Sequence, residues 1–84
     1  MALPDDLDRD KLAEAALAIL SLTTFRSGHE PRAWKSLDWD VFGLLFQRGW
    51  IADPVGKAKS IVFTEAGERL APELLERHFA KPKP

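Results

Sequence analysis

Apolar and polar positions along the chain fall into three helix-length patterns separated by two interruptions. Between residues 11 and 23, Leu12, Ala15, Ala16, Leu17, Ile19, Leu20 and Leu22 cover most of a helical circumference. Lys11, Glu14, Ala18 and Ser21 form the one narrow polar or small stripe. A helix apolar over most of its surface is packed on several sides, so this segment is expected to be the central helix. The acidic start, with Asp5, Asp6, Asp8 and Asp10, suits a helix N-terminus, where carboxylates meet unpaired N–H groups and the positive end of the dipole.

Ser27-Gly28 breaks that pattern, and Pro31 follows at a place suited to the first turn of a new, short helix. Trp34 and Leu37 are the only large anchors there, so residues 28–37 are expected to form one helical turn or an ordered loop pinned by Trp34. The next helix has both ends written into it. Asp38 is a good N-cap, and Leu37 before it forms a hydrophobic staple with Phe42. Gly49 suits the left-handed position after the last turn, and Trp50 can pack back on Leu45 as in a Schellman ending. That places the helix at residues 39–48. Two β-prone runs follow, Trp50-Ile51-Ala52 and Ser60-Ile61-Val62-Phe63, joined by Asp53-Pro54-Val55-Gly56 in the residue order of a type I turn. Thr64 then caps a last helix toward Phe79, with Leu70, Leu74 and His78 at four-residue spacing and an interior Pro72 expected to kink it.

The resulting order is helix–(short turn)–helix–β-hairpin–helix in a mostly helical α+β chain. Its 84 residues suit one domain over 1–84, with 1–7 and 80–84 expected to fray. A domain of this size buries only about 60% of its unfolded surface, so its core must be dense in large apolar groups. Three Trp and five Phe meet that need. The expected core is Leu12, Ala16, Ile19, Leu20, Trp34, Phe42, Leu45, Ile51, Ile61, Phe63, Leu70 and Leu74. The lack of cysteine excludes a disulfide framework and a thiolate metal site, and a small domain without such staples is expected in a reducing cytoplasm. A formal charge of −1 gives no global pull toward nucleic acid or anionic membrane. No secretory leader is expected, since acids stand where its basic region would lie. The longest nearly apolar run, residues 15–20, is far short of the ~20 residues that span a bilayer.

Two resemblances rest on particular residues. Gly49-Trp50-Ile51, the short charged hairpin and Phe63-Thr64-Glu65-Ala66-Gly67 together resemble the wing of a winged-helix domain of the MarR-like kind, over about residues 39–75. Arg32-Ala33-Trp34-Lys35, Asp38-Trp39-Asp40, Asp53-Pro54-Val55-Gly56-Lys57-Ala58-Lys59-Ser60 and Thr64-Glu65-Ala66-Gly67 are similar to a small bacterial family classed as a domain of unknown function. The first resemblance implies a winged-helix-like fold whose helix-turn-helix half is abbreviated, because residues 24–37 are too few for a full second helix and turn. It also implies DNA as one candidate partner and dimer contacts through the helix before the wing and the last helix. The second resemblance brings no assigned activity.

Candidate chemistry is sparse. Gly56-Lys57 lacks the spacing of a phosphate loop, with six residues from Gly49 to Gly56 where four are needed, and Ala58 stands in place of the hydroxyl residue. His29 and His78 have neither a Cys partner nor metal-ligand spacing. Asp38 and Asp40 are two apart on a helix and do not share a face. No Ser/His/Asp or Cys/His arrangement can be assembled, so no catalytic residue, cofactor or metal is expected.

Two binding functions remain. A nucleic-acid interface would use Arg32, Lys35, Arg48, Lys57 and Lys59, with the two wing lysines on phosphates. Against it, the helix that would enter the groove begins Asp38-Trp39-Asp40, whereas a specific reader presents Arg, Asn or Gln near its start. A protein interface follows from apolar excess. Residues 39–48 offer Trp39, Val41, Phe42, Leu44, Leu45 and Phe46, more than one buried stripe about 100° wide takes up. Trp39, Phe46 and, on the last helix, Phe79 are the candidates for contact with another protein or a second copy. The first expectation is therefore a non-catalytic protein-binding or self-associating module, with no membrane partner. The alternative is a winged-helix DNA-binding protein with weak phosphate contacts. Exposed Trp39 or Phe46 would favour the protein partner; a positive groove joining Arg32, Lys35, Lys57 and Lys59 would favour nucleic acid.

Overall fold

In the computed structural model, which describes residues 3–82, the acidic start leads into α1, Arg9–Ser21. Asp8 caps it, its carboxylate accepting from the Lys11 N–H at 3.0 Å. Residues 1, 2, 83 and 84, at the ends expected to fray, lie outside the described residues. Leu3, also in that stretch, packs against the core. The buried side of α1 carries Ala13, Ala16, Leu17, Ala18 and Leu20. Two expectations change here. Ala18, placed on the polar or small stripe, is fully buried, and Ile19, expected in the core, is 45% exposed. The last helix is the reason: Glu14, four residues before Ala18 on the same side of α1, reaches His78 at 2.7 Å. Small side chains let two helices approach closely, so size rather than polarity selected the buried side.

The Thr23 and Thr24 hydroxyls donate to the Leu20 carbonyl at 3.3 and 3.0 Å and draw the chain out of α1. A β-hairpin then stands where a helical turn or loop was expected. Strands β1, Phe25–Ser27, and β2, Glu30–Trp34, pair antiparallel with Phe25 opposite Arg32 and Ser27 opposite Glu30. Only Gly28 and His29 join them. Gly28 takes φ +64° while His29 keeps a negative φ, the pattern of a type II′ turn. Pro31 thus opens no helix; it lies in the central strand and offers only its carbonyl, which accepts from the Phe63 N–H at 2.9 Å.

Strand β3, Ser60–Val62, pairs with the other side of β2, giving the sheet order β1-β2-β3. Residues 50–52 keep only a bridge to it, Ile51 opposite Phe63, with the Ala52 N–H on the Val62 carbonyl at 2.9 Å. The Asp53 carboxylate accepts from the Val55 N–H at 2.9 Å and turns the chain away before that ladder lengthens. Side-chain alternation sends Ala33, Ile61 and Phe63 into the core and Trp34 to the outer face. Trp34, expected to pin the core, is 55% exposed and lies on Phe25 with ring centroids 4.7 Å apart.

Helix α2, Trp39–Gln47, keeps the ends that its sequence indicates. The Asp38 carboxylate accepts from the Asp40 N–H at 3.0 Å. Gly49 takes φ +75°, and the Gly49 and Trp50 N–H groups reach the Phe46 and Leu45 carbonyls at 2.9 and 3.1 Å, which is the Schellman pattern. Helix α3, Glu65–Phe79, runs through Pro72 as one helix. Thr64 caps it: its Oγ1 accepts from the Gly67 N–H at 3.1 Å and donates to the Gly49 carbonyl at 2.6 Å. Gly67 lies so close to the Trp50 backbone that a Cβ would stand 1.9 Å from its carbonyl oxygen. One core then joins the sheet's inner face to all three helices through Leu17, Leu20, Phe42, Leu45, Ile51, Ile61 and Leu74, while Leu12 and Leu70 stand at its margin.

Leu17→Ala is expected to lower stability by about 2–5 kcal/mol and Ile19→Ala by less than ~1 kcal/mol in urea unfolding. Equal losses would return Ile19 to the core. Thr64→Ala should cost about 1 kcal/mol, and Gly67→Ala more, because the added methyl meets backbone that cannot swing aside. In the Thr64→Ala protein, amides of residues 68–75 should lose hydrogen-exchange protection while those of 16–22 keep theirs. Equal loss in both segments would refute the capping account.

Candidate functional site

Helical periodicity divides α2 into two faces. Val41, Phe42, Leu44 and Leu45 point into the core, while Trp39, Gly43 and Phe46 fall on the opposite side. Trp39 is 52% exposed and Phe46 44%. Between them Gly43 has ordinary helical backbone, and nothing lies within 4 Å of where its Cβ would be. Neither conformation nor internal crowding asks for glycine there, although glycine in a helix costs about 1 kcal/mol relative to alanine. Gly43 forms part of the floor of a shallow groove of about 510 Å³, bordered by Leu3, Asp5, Arg9, Trp39, Asp40 and Gln47. On this surface Trp39 borders the hollow, while Phe46, exposed on the same side of the helix, lies outside its lining.

Ionic contacts hold both ends of this face. At its start the Lys35 ammonium donates to the Gly56 carbonyl at 3.3 Å and stands 5.8 Å from the centre of the Trp39 ring, within cation–π range. At its end Arg48 donates to the Leu44 carbonyl at 3.4 Å and forms an ion pair with Asp10 on α1. One turn further along α1, Glu14 takes His78. The C-terminal ends of α2 and α3 therefore both meet the first turns of α1. Phe79, the third candidate for a protein contact, is 53% exposed beside His78 at the end of α3 and does not line the groove at Gly43.

The five cations expected to touch nucleic acid do not form one track. Lys35 and Lys59 are neighbours across the end of the sheet, with the Lys35 N–H on the Lys59 carbonyl at 2.8 Å. Lys57 and Lys59 stay exposed. Arg32 is held flat on the sheet, donating to Glu30 at 2.9 Å and to the Ser60 hydroxyl at 2.9 Å. Arg48 lies at the far end of the nine-residue α2, about 13 Å away along the helix. Sequence reasoning singles out Trp39 and Phe46 but treats Gly43 as a mere polar-face residue. The signal is present in the chain all the same: a glycine inside a helix, four residues after one large aromatic and three before another. The outer pair Phe25 and Trp34 also escapes it, because Gly28-His29 reads as a helix break and not as a two-residue hairpin turn.

Comparison with known proteins places these residues within a wider set. The family described as "Domain of unknown function (DUF6429)" matches residues 8–81, which takes in all three helices and the sheet. An uncharacterized protein, y4hR, of Sinorhizobium fredii strain NGR234 is 43% identical over 76 residues, covering 90% of this chain and 99% of that protein. No solved structure matches the chain at a significant level.

Gly43→Ala is expected to stabilise the protein in dilute solution by about 1 kcal/mol, because the methyl enters open space and the helix gains propensity. For a domain of this size that raises Tm by roughly 4–8 °C. A lower Tm would show that the space above Gly43 is already filled within a single chain.

Proposed function

The chain belongs to the DUF6429 family of domains of unknown function, and we propose that its work there is non-catalytic: it docks another protein on the exposed face of α2. The observation that carries this reading is the pair Trp39 and Phe46, both about half exposed, flanking a glycine that the fold does not need. Large exposed aromatic side chains are common anchors of protein recognition, where a few such groups supply most of the binding energy. Polar groups around the groove, Arg9, Asp40, Gln47 and Arg48, fit a rim that orients a partner. The groove is lined by no serine, threonine, cysteine or histidine, and its carboxylates, Asp5 and Asp40, have no such nucleophile beside them there. No helix among the described residues is long and apolar enough to cross a membrane, and the cysteine-free chain suits the cytoplasm as its place of action.

A photo-reactive phenylalanine analogue in place of Phe46 tests this reading in cells that carry the protein naturally. A discrete protein adduct is expected from position 46 and none from the same probe at Arg69, an exposed position on α3. Equal labelling from both positions, or none from position 46, would remove the basis for a docking face on α2.

A second reading, duplex DNA, is favoured by one observation, the exposure of Lys57 and Lys59 beside Lys35 at the end of the sheet. Asp38 and Asp40 at the start of α2 oppose it, because they would repel phosphates where a reading helix enters. Duplex binding is therefore expected to be weak and unspecific. Lys57→Ala/Lys59→Ala should flatten its log–log salt dependence by about two units. A tight, sequence-selective complex that survives the double substitution would reverse the order of the two readings.

A further inference from the structure

We draw no further inference here: the strongest candidate, the outer face of the sheet, where the exposed Trp34 lies on Phe25 and Arg32 is already held by Glu30 and Ser60, is an unpartnered face and nothing in the structure shows what covers it.

Discussion

The Thr64 hydroxyl is the point on which the other elements turn. It donates to the Gly49 carbonyl, just past the end of α2, at 2.6 Å and accepts from the Gly67 N–H at the start of α3 at 3.1 Å. In the same few residues the Thr64 N–H reaches the Trp50 carbonyl at 3.0 Å, and Gly67 lies so close to that carbonyl that no side chain would fit between them. The end of α2, the Ile51–Phe63 bridge and the first turn of α3 are thereby one joint without slack. Because the joint fixes where α3 sets off, it fixes which side of α1 receives it. Ala18 goes under and Ile19 stays out for that reason. The same placement uses up Val41, Phe42, Leu44 and Leu45 on the inner face of α2 and leaves Trp39 and Phe46 about half exposed.

The features legible in the amino-acid order are those that depend on near neighbours. Asp38 before a helix, Gly49-Trp50 after it and Thr64 three residues before Gly67 each satisfy backbone groups within a few residues, so their chemistry is written locally. The first hairpin has local signs as well, but Pro31 conceals them, because proline in a central strand gives up a ladder donor and argues against strand assignment. The sheet tolerates it by using its carbonyl alone. Ile19 and Trp34 are misplaced for a different reason. Which side of α1 faces inward depends on α3, more than 40 residues later, and which way Trp34 points depends on a strand register that composition does not reveal. The candidate surface divides in the same way. Trp39 and Phe46 declare themselves as an apolar excess on one short helix, whereas the engagement of Arg32, Lys35 and Arg48 by Glu30, Gly56 and Asp10 needs the folded chain.

Polar contacts at the surface make the two binding readings unequal in a way that residue counting does not. The chain has nearly balanced charge, with 12 basic and 13 acidic residues, yet the balance is also local. Arg26 pairs with Glu68 at 2.5 Å, Arg32 with Glu30, Arg48 with Asp10, and His78 contacts Glu14. Exposed pairs of this kind add little stability, on the order of 0–1 kcal/mol each. Their effect is on the field outside the molecule, since a cation that already faces a carboxylate attracts a phosphate weakly at ordinary ionic strength. That leaves the exposed Lys57 and Lys59 as the candidate phosphate contacts outside those pairs, beside the ring surface of Trp39 and Phe46.

The two-residue turn at Gly28-His29 has a consequence for the order in which the sheet is built. β1 and β2 are joined by the shortest loop in the sheet, so closing them costs little chain entropy, and hairpins of this kind form in about 1–10 µs. β3 lies opposite β2 only after α2 and the 53–58 segment have been brought round, a far longer closure. The incoming strand therefore meets a template with its inward side chains already presented. Gly28, an exposed residue with no contact to any part of the core, holds the left-handed bend that makes that template available first. A residue that contributes almost nothing to the finished interior thus governs how quickly the interior can be assembled.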